Sequence, residues 1–243
     1  MANWTTAFDA SGHESDQDYL VVGGYIARAK DWVDFEQAWL ERIGKEGLSY
    51  YHHAEHSRHY PGLTDDLVPI IQGHVWYKFS CCVPKASLAV LPPALQKNFQ
   101  LVALSLAGRT VVGAVREWLL KRDAPDDPVE FVFEAGDIKR GLLIQRLKED
   151  GYPEPQFRPG KRDRIQPSGA RQPVWVPLQA ADLFAGEVFR LERDRLHENP
   201  PDLFRALDRT VSGVPTTWTT EDAARLRDVL NNYSWWRQFT DFL

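Results

Sequence analysis

Cysteine is nearly absent, with only Cys81 and Cys82 in 243 residues. They are adjacent in a strand-like run, so their side chains point to opposite faces and a disulfide between them is disfavoured. No zinc pattern can be built from this pair. No run of about 18 apolar residues occurs, so no membrane-crossing helix is expected. The N-terminal Met1-Ala2-Asn3-Trp4-Thr5-Thr6 lacks a basic segment followed by a long apolar core, which argues against a secretory signal. These absences lead to the expectation of a reducing, cytoplasmic setting. A basic excess is missing too: 29 Lys and Arg face 34 Asp and Glu, for a formal net charge of −5. Proteins that grip nucleic acid mainly through phosphate attraction usually show the opposite balance. Positive charge concentrates locally between Arg158 and Arg171, with Lys161, Arg162 and Arg164, which reads either as a solvated loop or as a phosphate-facing one. Gly23-Gly24 lies within a strand rather than before a helix, so it is no nucleotide-binding phosphate loop.

What is present is an ordinary globular composition, 43% hydrophobic and 26% charged, long enough for one large domain with a helical extension. Residues 4–9 and 18–27 read as strands joined in a hairpin. Trp32, Phe35, Trp39 and Ile43 recur at helical spacing, predicting an amphipathic helix over 30–44. A histidine-rich loop at 48–60 precedes a short helix at 64–73 and a strand at 75–83. A long helix spans 95–121, a strand 129–134, and a helix 138–150. Residues 154–174 read as a Pro-, Gly- and Arg-rich loop with one short strand, followed by a buried helix over 176–195. The tail, 202–243, reads as two helices around a connector. The expectation is an α/β fold over residues 1–198, a mixed sheet flanked by helices, with a helical C-terminal extension at 199–243 packed on it. The order of elements resembles a ribonuclease H-like fold.

Acidic side chains end the apolar runs. Asp9 closes Trp4–Phe8, Glu134 closes Val129–Phe133, and Asp137 follows. Asp182 lies on the apolar helix, three residues after Gln179 and on the same face. A carboxylate there is costly unless its charge is compensated, and a hard divalent cation is one compensator. Structural explanations compete: an Asx turn for Asp9, a helix cap for Asp137, an arginine pair for Asp182. His52 and Glu55 sit in the histidine-rich segment, where His52 would orient water or contact phosphate. Ser11 and Lys161 are candidate phosphate contacts.

Four motifs together resemble family 3800 of the domains of unknown function, a large, mostly prokaryotic and phage family related to ribonuclease H-like nucleases. They are Asp9-Ala10-Ser11-Gly12, Tyr51-His52-His53-Ala54-Glu55, Phe133-Glu134-Ala135-Gly136-Asp137 and Leu178-Gln179-Ala180-Ala181-Asp182, with Glu187 following. Ala10 stands where the family has glutamate. The resemblance implies a hydrolase, a metal-dependent nuclease or phosphodiesterase with Asp9, Glu134 and Asp182 as catalytic ligands. With Asp137 they would hold Mg²⁺ or Mn²⁺, while Ser11, His52, Glu55, Lys161 and Gln179 would bind substrate. Two other readings stay open: a catalytically inactive binding member of the same fold, suggested by Ala10, and a small-molecule phosphohydrolase. The partner expected is nucleic acid or another phosphate ester, not a membrane.

Overall fold

A computed structural model of the chain describes residues 3–12, 17–136, 140–165, 169–210 and 212–232. The chain runs through β1 (Trp4–Ser11), β2 (Tyr19–Arg28), α1 (Ala29–Gly44), α2 (His53–His56), α3 (Pro61–His74) and β3 (Tyr77–Pro84). After a 3₁₀ turn at Lys85–Val90 come α4 (Pro93–Lys97), α5 (Phe99–Leu120), β4 (Val129–Glu134), α6 (Gly141–Glu149) and β5 (Gln156–Arg158). The chain continues through β6 (Arg164–Ile165), β7 (Arg171–Gln172), α7 (Pro177–Arg193), α8 (Asp202–Thr210), β8 (Gly213–Thr217) and α9 (Thr220–Asn232).

Among the described residues six strands form one mixed sheet in the order β5-β4-β1-β2-β3-β8. β2 runs antiparallel to both of its neighbours, β1 and β3. β4 joins β1, β5 joins β4, and β8 joins β3, each in parallel. Helices cover both faces, so strand side chains alternate between two apolar layers. Phe8, Phe79 and Phe131 pack with α5 and α6. Ala7, Tyr25 and Cys82 pack with α1, α3 and α7. Cys81 and Cys82 enter opposite layers and both are free thiols, as their adjacency predicted. The four positions of α1 that recur at helical spacing, Trp32, Phe35, Trp39 and Ile43, are all buried. α5 is long and apolar enough to cross a membrane, but here it is a core helix, burying residues from Phe99 to Leu119 against the sheet.

The expected long helix over 95–121 breaks at Asn98, which separates α4 from α5. The histidine-rich segment contains one helical turn, α2, where a loop was expected. The connector in the tail is a strand: β8 pairs with β3 and places Pro215 opposite Ser80. Proline lowers strand propensity but is tolerated on an edge strand, which is where β8 sits. Lys78 fastens the tail from β3. Its buried ammonium donates to the Leu207 and Asp208 carbonyls, 2.9 Å each, and pairs with the Asp208 carboxylate at 3.0 Å.

Removing residues 212–243 should therefore lower the thermal midpoint by roughly 5 °C or more, because the edge of β3 and the packing of Ala223 are lost. Thermal melts of the full and shortened chains check this. Identical midpoints would show that the tail adds nothing to the sheet.

Candidate active site

Parallel pairing of β1 with β4 sets the centre of the site. Phe8 lies opposite Phe133, so the next residues, Asp9 and Glu134, fall side by side at the C-terminal strand ends. Phe8 and Phe133 face the α5 layer, so alternation turns Asp9 and Glu134 toward α7. Helix α7 crosses that face and carries Asp182. Asp9 is only 7% exposed. Burial first, then the charges of Glu134 and Asp182, raise its pKa well above the ordinary carboxylate value. A backbone N–H from Ala10 at 2.8 Å and the charge of Lys161 act the other way. Among the described residues no arginine or lysine forms an ion pair with Asp9 or Glu134.

A shell of buried hydrogen bonds holds the surroundings. Asp182 Oδ2 accepts the backbone N–H of His53 at 2.6 Å. The His53 ring lies 2.9 Å from Glu187 Oε1 through Nε2 and 3.2 Å from the Tyr51 hydroxyl through Nδ1. Tyr51 continues to Thr64 Oγ1 at 2.9 Å. A proton on Nε2 satisfies this whole chain. Glu187 is fully buried, and Arg190 donates to its second oxygen at 2.8 Å, so its charge is compensated from two sides. Gln179 joins three segments. Its Oε1 accepts from Trp39 Nε1 at 2.9 Å and from the Tyr51 N–H at 2.7 Å, and its Nε2 donates to the Gly160 carbonyl at 3.0 Å. The loop at Gly160 then lies against Glu134, where a Cβ would stand 3.3 Å from Oε1 and 3.2 Å from Leu178 Cβ. Glycine is what permits that approach.

The structure brings Asp9, Glu134 and Asp182 together electrostatically, with Lys161 beside them. Lys161 Nζ donates to His52 Nε2 at 2.7 Å, and His52 Nε2 is 3.7 Å from Asp182 Oδ1. This places the His52 proton on Nδ1, which is buried without a hydrogen bond, 3.5 Å from Glu55 Oε1. Glu55 is exposed and takes a hydrogen bond from Tyr50 at 2.9 Å, outside the carboxylate group. Gln179 is 1% exposed and spends its amide inside the protein, fixing other residues. Ser11 ends β1, followed by Gly12 at φ +83°, where a Cβ would strike the Tyr19 carbonyl and the Phe189 ring. Asp137 lies outside the described residues; the following helix starts at Gly141, with Arg140 at its N-cap. His53 was not singled out in the sequence. Its neighbour His52 carried the same signal, and nothing in the spacing told the two roles apart.

A cleft of about 940 Å³ opens beside Asp9 and Glu134, with Arg140, Lys161 and Arg162 on its wall. Among the described residues no three His, Cys, Asp or Glu side chains are gathered closely enough to enclose a metal ion as they stand. The donor chemistry nevertheless fits a hard cation. Asp9, Glu134 and Asp182 offer only carboxylate oxygens, and a divalent charge would oppose the burial and like-charge effects that raise Asp9's pKa. The chain matches no protein-family model and no curated protein. The resemblance to family 3800 therefore rests on its motifs alone.

Two outcomes follow from this geometry. Asp9 has a higher pKa folded than unfolded, so the native state binds the extra proton between those two values and loses stability as pH rises through them. Asp9→Asn should melt several degrees above the parent at pH 8, and the advantage should vanish near pH 4, where Asp9 is protonated. Melting curves across that range check the sign, and a lower midpoint for the variant at pH 8 would contradict it. Gln179→Leu leaves the Trp39 and Tyr51 N–H groups and the Gly160 carbonyl unpaired. At about 1–3 kcal/mol for each buried orphan, urea unfolding should show a loss of about 3 kcal/mol or more. A loss below about 1 kcal/mol would show that water replaces the amide.

Proposed function

We propose that the chain is a divalent-metal-dependent phosphodiesterase of ribonuclease H-like type, acting on nucleic acid. The observation that carries this reading is the buried Asp9 carboxylate, set under the charges of Glu134 and Asp182 from a neighbouring strand end and a late helix. Three antiparallel strands, β1 to β3, extended in parallel through β4 and β5, support the same fold assignment. Asp9, Glu134 and Asp182 would hold Mg²⁺ or Mn²⁺, which when bound supplies water activation and charge stabilisation at a phosphoryl centre.

The chain's own groups have definable tasks. The His53 N–H fixes one oxygen of Asp182 and so the direction of the other. Lys161 brings positive charge to the Asp9 side of the cleft, where a phosphate would enter. His52 holds Lys161 in place through a neutral ring nitrogen. Ala10 bears on the non-catalytic alternative. Its side chain packs toward the α5 layer, on the face opposite Asp9, so a glutamate there would not join the three carboxylates directly. The replacement leaves the trio intact and is weak ground for inactivity.

Titration of Mg²⁺ and Mn²⁺ into the protein and into Asp182→Asn tests the reading. Labelled single-stranded DNA, duplex DNA, RNA and an RNA–DNA hybrid then serve as substrates. Metal should raise the thermal midpoint and support cleavage, and the variant should lose about 10³-fold in rate, corresponding to several kcal/mol of transition-state stabilisation. Metal binding without cleavage of any polymer would favour the binding member or a small-ester hydrolase. No metal response in either protein would overturn the proposal.

A further inference from the structure

We propose that the substrate is a single strand several nucleotides long, lying in a trough that continues past the carboxylates and is gripped on the far side by Lys85, Lys97 and Arg195. This rests on the nuclease reading above and specifies its substrate class.

The cleft at the carboxylates does not end there. A second cavity, of about 680 Å³, shares Lys85, Gln96, Lys97 and Phe99 with the first and extends to Arg195. The first cavity alone is at the upper end of the ~300–1,000 Å³ range of small-molecule pockets. With its continuation the trough is longer than a single phosphate ester needs.

Charge is distributed along it unevenly with respect to the whole chain. Arg140, Lys161, Arg162 and Arg164 lie at the carboxylate end. Lys85 and Lys97 stand at the junction, and Arg195 at the far end. The acidic lining is limited to Asp9, Glu134 and Asp18. This basic path crosses a protein whose net charge is −5. Lys85, Lys97, Arg162 and Arg195 are exposed and make no ion pair among the described residues. Arg28, Lys30, Arg58, Arg122 and Lys148 elsewhere on the surface likewise make no ion pair among the described residues, so what sets the trough cations apart is their place along two adjoining cavities. Unneutralised cations in a row are the footprint of a polyanion. Because the cations continue from the carboxylate end past the junction, the phosphate at the carboxylates would be followed by further phosphates along the strand.

The wall favours one strand over a duplex. Phe99 and Leu104 line the cavities from within the core, Leu101 and Phe157 are half-buried at the wall, and Arg140 lies 4.6 Å over the Phe157 ring. Half-buried apolar groups and an arginine plane beside a cationic track suit unpaired bases, which contact them without sequence preference. A duplex keeps its bases inside and presents only backbone to such a wall.

The test is binding, read apart from cleavage. Fluorescence anisotropy with Ca²⁺ present measures affinity for single-stranded oligonucleotides of 2 to 12 residues and for a 12-base-pair duplex. Three proteins are compared: the parent, Lys85→Ala/Lys97→Ala, and the charge-matched Lys45→Ala/Lys121→Ala. Affinity should rise with strand length, and the single strand should bind more tightly than the duplex. For the Lys85/Lys97 pair the 12-residue affinity should fall about tenfold. The slope of log affinity against log salt should shrink by about 1.4, at ~0.7 per phosphate contact. The control pair should match the parent. An unchanged slope, equal affinity for 2 and 12 residues, or a preference for duplex would overturn the trough. Parallel assays with Mn²⁺ separate the two claims. Length-dependent binding without cleavage upholds the trough and removes the nuclease reading, whereas cleavage with an unchanged slope does the reverse.

Discussion

Burial of the Asp9 carboxylate beside the charges of Glu134 and Asp182 is the constraint around which this end of the molecule is arranged. Asp9 cannot move away from Glu134, because the register that pairs Phe8 with Phe133 fixes both strand ends. It cannot escape to water, because α7 covers it and brings a third charge. A buried carboxylate of this kind is stabilised either by taking up a proton or by a cation. Lys161 supplies a partial answer only, since its ammonium is engaged with His52. Charge left uncompensated in a fold that is otherwise well packed is the mark of a site maintained for something other than stability.

The rest of the site is built to hold that arrangement still. Gln179 binds α1, the segment before α2 and the Gly160 loop to α7 through one amide. Glu187, two turns of helix from Gln179, locks the His53 ring between itself and Tyr51, and the His53 backbone in turn fixes Asp182. Both residues act through others rather than on a ligand. The same logic extends outward, where the positive charge near the carboxylates belongs to the cleft wall and not to the carboxylates themselves. An acidic protein can in this way present a basic track to a phosphate chain.

Periodicity made α1, β1, β2 and β4 legible, because each buries a face with a clear repeat: Trp32, Phe35, Trp39 and Ile43 for the helix, alternate or continuous apolar residues for the strands. β8 was not legible, since Pro215 speaks against a strand and only its edge position makes the residue acceptable. The acidic trio was legible as strand-end and helix-face carboxylates; Glu134 does end β4 and Asp182 lies on α7, whereas β1 runs on two residues past Asp9. What could not be read were relations between distant segments. Lys85 and Lys97 follow β3, Arg140 precedes α6, and nothing in their local sequence says that they share a cleft. Gln179 looked like a ligand because it shares a helix face with Asp182, and only tertiary packing shows its amide turned inward.

A crystal soaked in Mn²⁺ and measured at an anomalous wavelength tests the central claim most directly. One or two anomalous peaks, with oxygens of Asp9, Glu134 and Asp182 at roughly 2.0–2.2 Å, are the expected result. An ordered site with no peak, in which Lys161 sits among the three carboxylates as their only counter-charge, would contradict it.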